Sequence, residues 1–337
     1  MIPLKDTFWQ AESWQQQMSG MIRDPERLLA RLQLDEEAQP ETAAALKQFP
    51  LRVPEAFVAK MAIGDWKDPL LLQILPLGEE MAEHVDYVND PLEEAAANPV
   101  PGLIHKYHGR VLLIASPTCA VHCRYCFRRN FPYDTNNPSQ RDWQHALEYI
   151  AERPEISEVI LSGGDPLSPP DEYLQKLISK IAAIPHVDTL RIHTRLPLVL
   201  PARITQNLVH VLSHHRLHTV MVIHCNHANE IDSATAEALG RLKNANITLL
   251  NQSVLLKDIN NEADTLINLS RRLFDVNVMP YYLHLLDKVR GAAHFRVNEE
   301  EALQLMRAIM AELPGYLVPK LVKEEPGASS KSPLALL

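Results

Sequence analysis

The sequence predicts an α/β protein whose core is a partial βα barrel. Short β-rich runs begin at residue 110 and alternate with stretches of helical periodicity. The runs are almost continuously apolar, which is typical of parallel strands that are covered on both faces. Six such units follow one another along the chain. Six βα units in series can curl into an open, TIM-like (βα)6 barrel, whereas eight units would close one.

The periodicity also gives bounds for the elements. The predicted strands lie at 110–116, 158–163, 189–194, 219–225, 247–253 and 276–283. The clearest helices are expected at 171–184, 233–245 and 299–312. Asn298 and Glu301 stand at capping-box spacing, which favours a helix start at this point.

Three regions are expected along the chain. Residues 1–100 are predicted to form a mostly helical N-terminal region with proline breaks, and residues 101–298 to form the barrel. Residues 299–337 are expected to provide a C-terminal helix, followed by a segment with too little periodicity for an assignment.

Composition excludes several classes of protein. The 337 residues are 46% hydrophobic and 22% charged, so the chain can bury a sizeable core. The formal charge of −9 counts against nucleic-acid binding through phosphates. No window of 18 apolar residues predicts a membrane helix, and residues 1–14 lack the pattern of a secretory signal. We therefore expect a cytoplasmic protein with neither a membrane nor a nucleic-acid partner.

Three of the four cysteines crowd into eight residues directly after the first barrel strand. Cys119, Cys123 and Cys126 have the spacing C-x3-C-x2-C. Three thiolates on one loop can ligate three irons of a [4Fe–4S] cluster and leave the fourth iron open. A structural zinc ion would need a fourth ligand, which His122 or Cys225 could provide. The cysteines alone leave zinc as an alternative.

The second barrel strand ends in Gly163-Gly164-Asp165-Pro166. Two glycines let the backbone approach a ligand closely, and an acid beside them can pair with an ammonium group. Together with the cysteines and the aromatic residue before the third one, this element resembles the radical S-adenosylmethionine (SAM) superfamily. The resemblance implies that Gly163, Gly164 and Asp165 hold the amino group of SAM at the open iron.

Further segments narrow the resemblance. They are Arg128-Arg129 after the cysteines and the stretches 224–231, 250–260, 280–283, 294–296 and 314–320. In this order, over most of the chain, they resemble the lysine 2,3-aminomutase family. The resemblance implies an isomerase that also uses pyridoxal 5′-phosphate (PLP). It would convert L-lysine into (R)-β-lysine through a 5′-deoxyadenosyl radical, with the substrate held as a PLP aldimine.

The resemblance also assigns cofactor residues. Lys331 would form the Schiff base with PLP, although its loop is less rich in glycine than that of the family, and Lys320 and Lys323 lie nearby. The residues implied for the PLP phosphate are Lys106, Tyr107 and Arg110, and those implied for SAM also include His224 and Gln252.

Three residues are implied for the substrate. Arg128 would bind the α-carboxylate, since its planar fork suits a carboxylate better than a lysine does. Asp287 and Glu324 would receive the ε-ammonium, because a desolvated ammonium needs paired negative charge. Glu324 stands where the family usually has an aspartate, and the added methylene is expected to loosen selection for free lysine.

Alternatives remain within and outside this family. The chain continues for six residues after Lys331. In this it resembles the short bacterial form that supplies (R)-β-lysine for the modification of elongation factor P. That form implies a partner β-lysine ligase, the factor itself and a reductant such as flavodoxin or ferredoxin. The rival substrates are arginine, glutamate and a protein-attached lysyl group, and the rival class is a zinc-binding interaction protein.

Overall fold

The computed structural model describes residues 13–35, 45–47, 49–136 and 142–335. The expectation about a secretory signal falls mainly on residues 1–12, which lie outside this described part. Within the described residues, no helix is both long and apolar enough to cross a membrane.

The described strands form a single sheet in which every strand pairs with its neighbour in sequence. Strands β2 to β8 run parallel, while β1 and β9 pair antiparallel at the two edges. The strands are β1 (Leu103–Tyr107), β2 (Arg110–Ser116), β3 (Glu158–Gly163), β4 (Thr189–Thr194), β5 (His218–Ile223), β6 (Thr248–Val254), β7 (Met279–His284), β8 (Lys320–Lys323) and β9 (Ser332–Pro333).

Helices follow each of the strands β2 to β7. One buried apolar stripe, with helical spacing, packs each of the longer helices against the sheet, as in α6. The helices are α1 (Trp14–Ser19), α2 (Pro25–Leu32), α3 (Glu55–Val58), α4 (Tyr133–Asn136), α5 (Asp142–Ala151), α6 (Asp171–Ala182), α7 (Leu196–Val199), α8 (Gln206–Ser213), α9 (Ser233–Asn244), α10 (Ala263–Asp275) and α11 (Glu299–Glu312).

The partial βα barrel is confirmed. The six predicted strands correspond to β2–β7, and the predicted helices to α6, α9 and α11. The side chain of Asn298 accepts a hydrogen bond from the Glu301 N–H at 2.8 Å, so it caps α11 as the spacing predicted. The seventh parallel strand, β8, was not predicted, because its only apolar residues, Leu321 and Val322, stand between two lysines and are too few to form an apolar run.

The described part of residues 1–100 is less helical than predicted. The short helices α1, α2 and α3 are separated by turns. Prolines at positions 50, 54, 69 and 76 interrupt the helical pattern, because each removes a backbone N–H and blocks the preceding turn. Phe57, Leu70 and Ile74 are fully buried in the same hydrophobic core as the barrel strands. This region therefore covers the barrel instead of folding as a separate unit.

The carboxyl ends of the parallel strands meet at one edge of the sheet, where loops of different units come together. After β2 lie the residues that we call the cysteine loop, 117–126, and after β3 lies the GGDP turn, 163–166. A register shift after Ile114 brings Ser116 opposite Gly163, so the cysteine loop begins beside the GGDP turn.

Candidate active site

The cysteine loop holds its three thiols in a half-buried position. Cys119, Cys123 and Cys126 are all partly exposed, and the Cys126 N–H donates to the Cys123 carbonyl at 3.0 Å. Burial and the neighbouring thiol Cys123 raise the pKa of Cys126 to about 11. Burial also raises the pKa of Cys119, and the nearby Cys126, Asp165 and Cys123 raise it further. Neighbouring thiolates repel one another, and a bound metal favours the thiolate form. The three cysteines are therefore suited to a bound group that supplies positive charge.

The two candidate zinc ligands have other partners. Nδ1 of His122 lies 2.7 Å from the Pro50 carbonyl oxygen, and the fully buried Cys225 thiol donates to the His227 carbonyl at 3.3 Å. In the described ranges, no three His, Cys, Asp or Glu side chains converge as ligands of one metal ion must. A cluster has a different requirement, because each thiolate binds an iron of its own.

The glycines of the GGDP turn allow contact between two segments of the chain. Gly163 has φ +121°, and a Cβ there would lie 2.5 Å from the Ser116 carbonyl oxygen. A Cβ at Gly164 would lie 2.7 Å from the Thr118 carbonyl oxygen. The Gly164 and Asp165 N–H groups donate to these same two oxygens at 2.7 and 2.8 Å. An added Cβ would therefore meet the end of β2 at Gly163 and the start of the cysteine loop at Gly164, and contact of these glycines with SAM remains a prediction.

Asp165 is buried and bound mostly to the protein. Its carboxylate accepts hydrogen bonds from the Thr194 hydroxyl at 2.7 Å, the Arg195 N–H at 2.8 Å and the Leu167 N–H at 3.0 Å. Burial raises the pKa of Asp165, against the effect of these hydrogen bonds. Three protein donors use most of the acceptor capacity of a carboxylate. The residue predicted to receive the SAM ammonium thus joins the end of β3 to the end of β4.

His224, directly after β5, and Gln252, on the neighbouring β6, contact each other. Their Nε2 atoms are 2.9 Å apart, so the amide donates and the ring nitrogen accepts. Burial, with the charges of Arg195 and Arg128, lowers the pKa of His224 to about 3 and keeps the ring neutral. The ring of His193 stands nearly perpendicular to it, with 5.7 Å between centroids. The pair lies towards the carboxyl ends of β5 and β6, and its contact with SAM remains a prediction.

The residues implied for PLP converge on Glu324. Nζ of Lys331 lies 2.6 Å from one Glu324 oxygen, and Nζ of Lys106 lies 3.3 Å from the other. The Tyr107 hydroxyl also contacts this carboxylate, and the Arg110 guanidinium lies 4.8 Å above the Tyr107 ring. Burial would raise the pKa of Glu324, but the charges of Lys331 and Lys106 outweigh it and lower the pKa to about 2.

Arg128 is engaged by a residue that the sequence did not single out. Its Nε and Nη2 donate to the two oxygens of Glu94 at 2.7 and 2.8 Å, and its Nη1 donates to the Ser162 hydroxyl at 3.0 Å. Glu94 is 3% exposed and also pairs with Lys106 at 3.4 Å. Two of the five donors of Arg128 remain for a ligand. Glu94 lies in the segment 88–102, whose prolines and asparagines are typical of a linker and give no signal for a buried acid.

Asp287, shortly after β7, is the third of the residues implied for the substrate. Burial raises its pKa to about 7, and the charge of Glu324 adds to this, while Lys331 and Lys106 act in the opposite direction. The site therefore holds one ionised acid next to another that is half protonated near neutral pH. A cationic ligand between them would favour the ionised form of both.

Three of the buried polar atoms that have no hydrogen-bond partner among the described residues belong to side chains around the site. They are Nε of Arg195 and Nε2 of His193 and His284. Burial lowers the pKa of both histidines, and the nearby charge of Lys331 adds to this. Unpaired buried polar atoms are rare in folded proteins, so this set fits a space that a polar cofactor fills. Arg195 and the two histidines have no sequence motif, and only the fold brings them to the site.

The comparisons with known proteins agree with this geometry. Residues 113–269 match the radical SAM superfamily. This stretch begins in β2, contains the cysteine loop and the GGDP turn, and ends within α10. Both the fold and the site therefore define the chain as a radical SAM enzyme.

Relatives over nearly the whole chain define it further. A protein of Escherichia coli K12 named L-lysine 2,3-aminomutase is 51% identical over 326 residues, which are 96% of this chain and 95% of that protein. Proteins of the same name are 47% identical in Haemophilus influenzae, over 98% of both chains, and 35% identical in Methanococcus maripaludis, over 97% of this chain and 76% of that one. The chain belongs to the lysine 2,3-aminomutase family. It is an isomerase, and the cofactors of the family are a [4Fe–4S] cluster, SAM and PLP.

Proposed function

We propose that this protein converts (S)-α-lysine into (R)-β-lysine. The observation that carries the proposal is the acidic site around Lys331, where Glu324 binds an ammonium group at 2.6 Å and Asp287 lies close by. Such a site accepts a side-chain cation next to the residue that would carry PLP. The names of the relatives support the same substrate.

The cofactor residues have separate tasks in this proposal. Cys119, Cys123 and Cys126 would hold the cluster, and Lys331 would hold PLP. When bound, the cluster and SAM supply a radical that removes a hydrogen atom, and PLP supplies an aldehyde that binds the amino group. Glu324 accepts a hydrogen bond from Nζ of Lys331 at 2.6 Å and so positions this side chain while its nitrogen is free.

The phosphate and the carboxylate of the ligands meet cations. Lys106 on β1 and Arg110 at the start of β2 would bind the PLP phosphate. Arg128 is held by Glu94 and would use its two remaining donors for the substrate α-carboxylate. Glu94 is in this proposal a positioning residue, because it orients the guanidinium through two hydrogen bonds.

The charge of the site selects among the rival substrates. Asp287, Glu324 and Glu94 would repel the side chain of glutamate, so this substrate is disfavoured. The same acids accept lysine and arginine alike. We propose lysine over arginine because the relatives that cover nearly the whole chain are named L-lysine 2,3-aminomutase.

The cellular setting belongs to the proposal as well. We place the reaction in the cytoplasm, where flavodoxin or ferredoxin would supply the electron. The product would pass to a ligase that attaches β-lysine to elongation factor P. The support for this role is the resemblance to the short bacterial form.

An anaerobic assay tests the function. The protein is reconstituted with iron and sulfide and is incubated with PLP, SAM, dithionite and either L-lysine or L-arginine. We expect β-lysine by mass-resolved chromatography, and its loss in Cys126→Ala and Lys331→Ala but not in Lys323→Ala. Cleavage of SAM with β-arginine as the product would overturn the substrate, and a zinc-loaded protein without cleavage of SAM would overturn the enzyme.

A further inference from the structure

Arg195 connects the cysteine loop to a buried acid. It lies directly after β4, and its Nη1 donates to Sγ of Cys123 at 2.9 Å. Its Nη2 lies 2.9 Å from Glu230 and 2.6 Å from the Gln73 amide oxygen. Arg195 is 4% exposed, and both Glu230 and Gln73 are fully buried. This guanidinium therefore has one fixed position beside the sulfur.

The position is set by three segments that are distant in sequence. Glu230 also accepts hydrogen bonds from the Asn226 N–H at 2.9 Å and the His227 N–H at 3.1 Å, so its carboxylate cannot turn away. The backbone N–H of Arg195 donates to Asp165 of the GGDP turn. This arrangement gives Asp165 a task in the site, because it anchors the residue that reaches Cys123.

We propose that Arg195 is a positioning residue that sets the reduction potential of the cluster, and that Glu230 limits its effect. A hydrogen bond from a cation to a ligating sulfur withdraws negative charge and makes the cluster easier to reduce. The carboxylate of Glu230 offsets part of that positive charge. The inference needs a cluster at the cysteines but does not depend on the amino-acid substrate.

Two variants separate this role from a structural one. Glu230→Gln removes the opposing charge, while the Gln73 oxygen still accepts from Arg195. The double variant Arg195→Gln, Glu230→Gln replaces the ion pair by two neutral amides and removes the cationic donor. The control is Arg191→Gln, which breaks an ion pair with Glu158 at the opposite end of β4.

The measurement is an anaerobic redox titration of the reconstituted cluster, followed by electron paramagnetic resonance without SAM or substrate. Iron and sulfide per chain are measured for each variant. We expect reduction to become easier in Glu230→Gln and harder in the double variant, each by about tenfold in the equilibrium constant, which is 59 mV for one electron. Arg191→Gln should titrate like the unchanged protein.

The proposal predicts that the two variants shift the reduction potential of the cluster in opposite directions. Shifts of the same sign, or shifts no larger than that of Arg191→Gln, would overturn it. If the double variant does not assemble a cluster, Arg195→Lys decides, because lysine offers one nitrogen in place of the two that reach Cys123 and Glu230 separately. Its cluster should then be harder to reduce than the unchanged one, and an unchanged potential would contradict the role.

Discussion

Alanine substitutions at four glycines test how the GGDP turn supports the cysteine loop. Gly163 combines a positive φ of +121° with a close contact, and Gly164 has the close contact without a positive φ. Gly64 has φ +74° with nothing within 4 Å of an added Cβ, and Gly240 in α9 has neither feature. The four positions thus separate backbone strain from steric contact.

The magnitudes follow from these two features. Gly240→Ala should stabilise the protein by about 0.5–1 kcal/mol, because glycine weakens a helix interior. Gly64→Ala should cost about 1–2 kcal/mol for a left-handed alanine. Gly164→Ala should cost about 1–3 kcal/mol as overpacking against backbone oxygens. Gly163→Ala carries both penalties and should cost about 2–5 kcal/mol.

Urea denaturation of the cluster-free protein, followed by circular dichroism, gives these free energies of unfolding. Iron bound per chain after reconstitution is the second measurement. Gly163→Ala and Gly164→Ala should bind less iron, because the added methyl group pushes on the residues before Cys119. Gly64→Ala should keep its iron. Full iron and unchanged stability in Gly163→Ala would refute the contact between the turn and the loop.

Three further predictions concern the site around Lys331. Lys331→Ala should abolish the visible absorbance of bound PLP, whereas Lys323→Ala, at an exposed lysine that pairs with Glu299, should retain it. Glu324→Gln should change how the free energy of unfolding depends on pH in the acidic range, measured on the protein without cluster and PLP. The pKa of about 2 lies below the unfolded value near 4.3, so this carboxylate stabilises the fold above pH 4.3 and loses its contribution as the pH falls towards 2. The contribution amounts to about 3 kcal/mol, and urea titrations between pH 5 and pH 3 should show a shallower loss in the variant. The raised pKa of Asp287 should affect substrate binding. Its ionised form, which would bind the cation of the substrate, prevails above about pH 7. The kcat/KM for lysine should therefore rise with pH through this region and should lose that rise in Asp287→Asn; a pH profile shared by both proteins would contradict the assignment.

Much of the barrel could be predicted, because apolar periodicity is a local signal. The strands β2–β7 are such runs, and the two lysines in β8 hide a strand that only pairing with β7 reveals. The lengths of the helices in the N-terminal region were harder to predict, for a related reason. Its helical periodicity reflects the face that packs on the barrel, whereas its prolines decide how long each helix becomes.

The residues of the site also divide into those that the sequence predicts and those that only the structure reveals. Motif spacing identified the cysteines as a candidate site, and the resemblance pointed to Lys331, whose Nζ lies 2.6 Å from Glu324. Glu94 and Arg195 were missed, because a buried ion pair between distant segments has no spacing to recognise. The GGDP motif was found, but the partners of its glycines and acid could be seen only once the cysteine loop was placed beside it.

Nitrogen migration itself tests the central claim most directly. The reconstituted protein is given L-lysine that carries ¹⁵N at its α-amino group, and the product is examined by nuclear magnetic resonance. We predict that the label is retained in full and is bonded to C3. A label that stays on C2 while SAM is cleaved, or that is released as ammonia, would contradict a lysine 2,3-aminomutase.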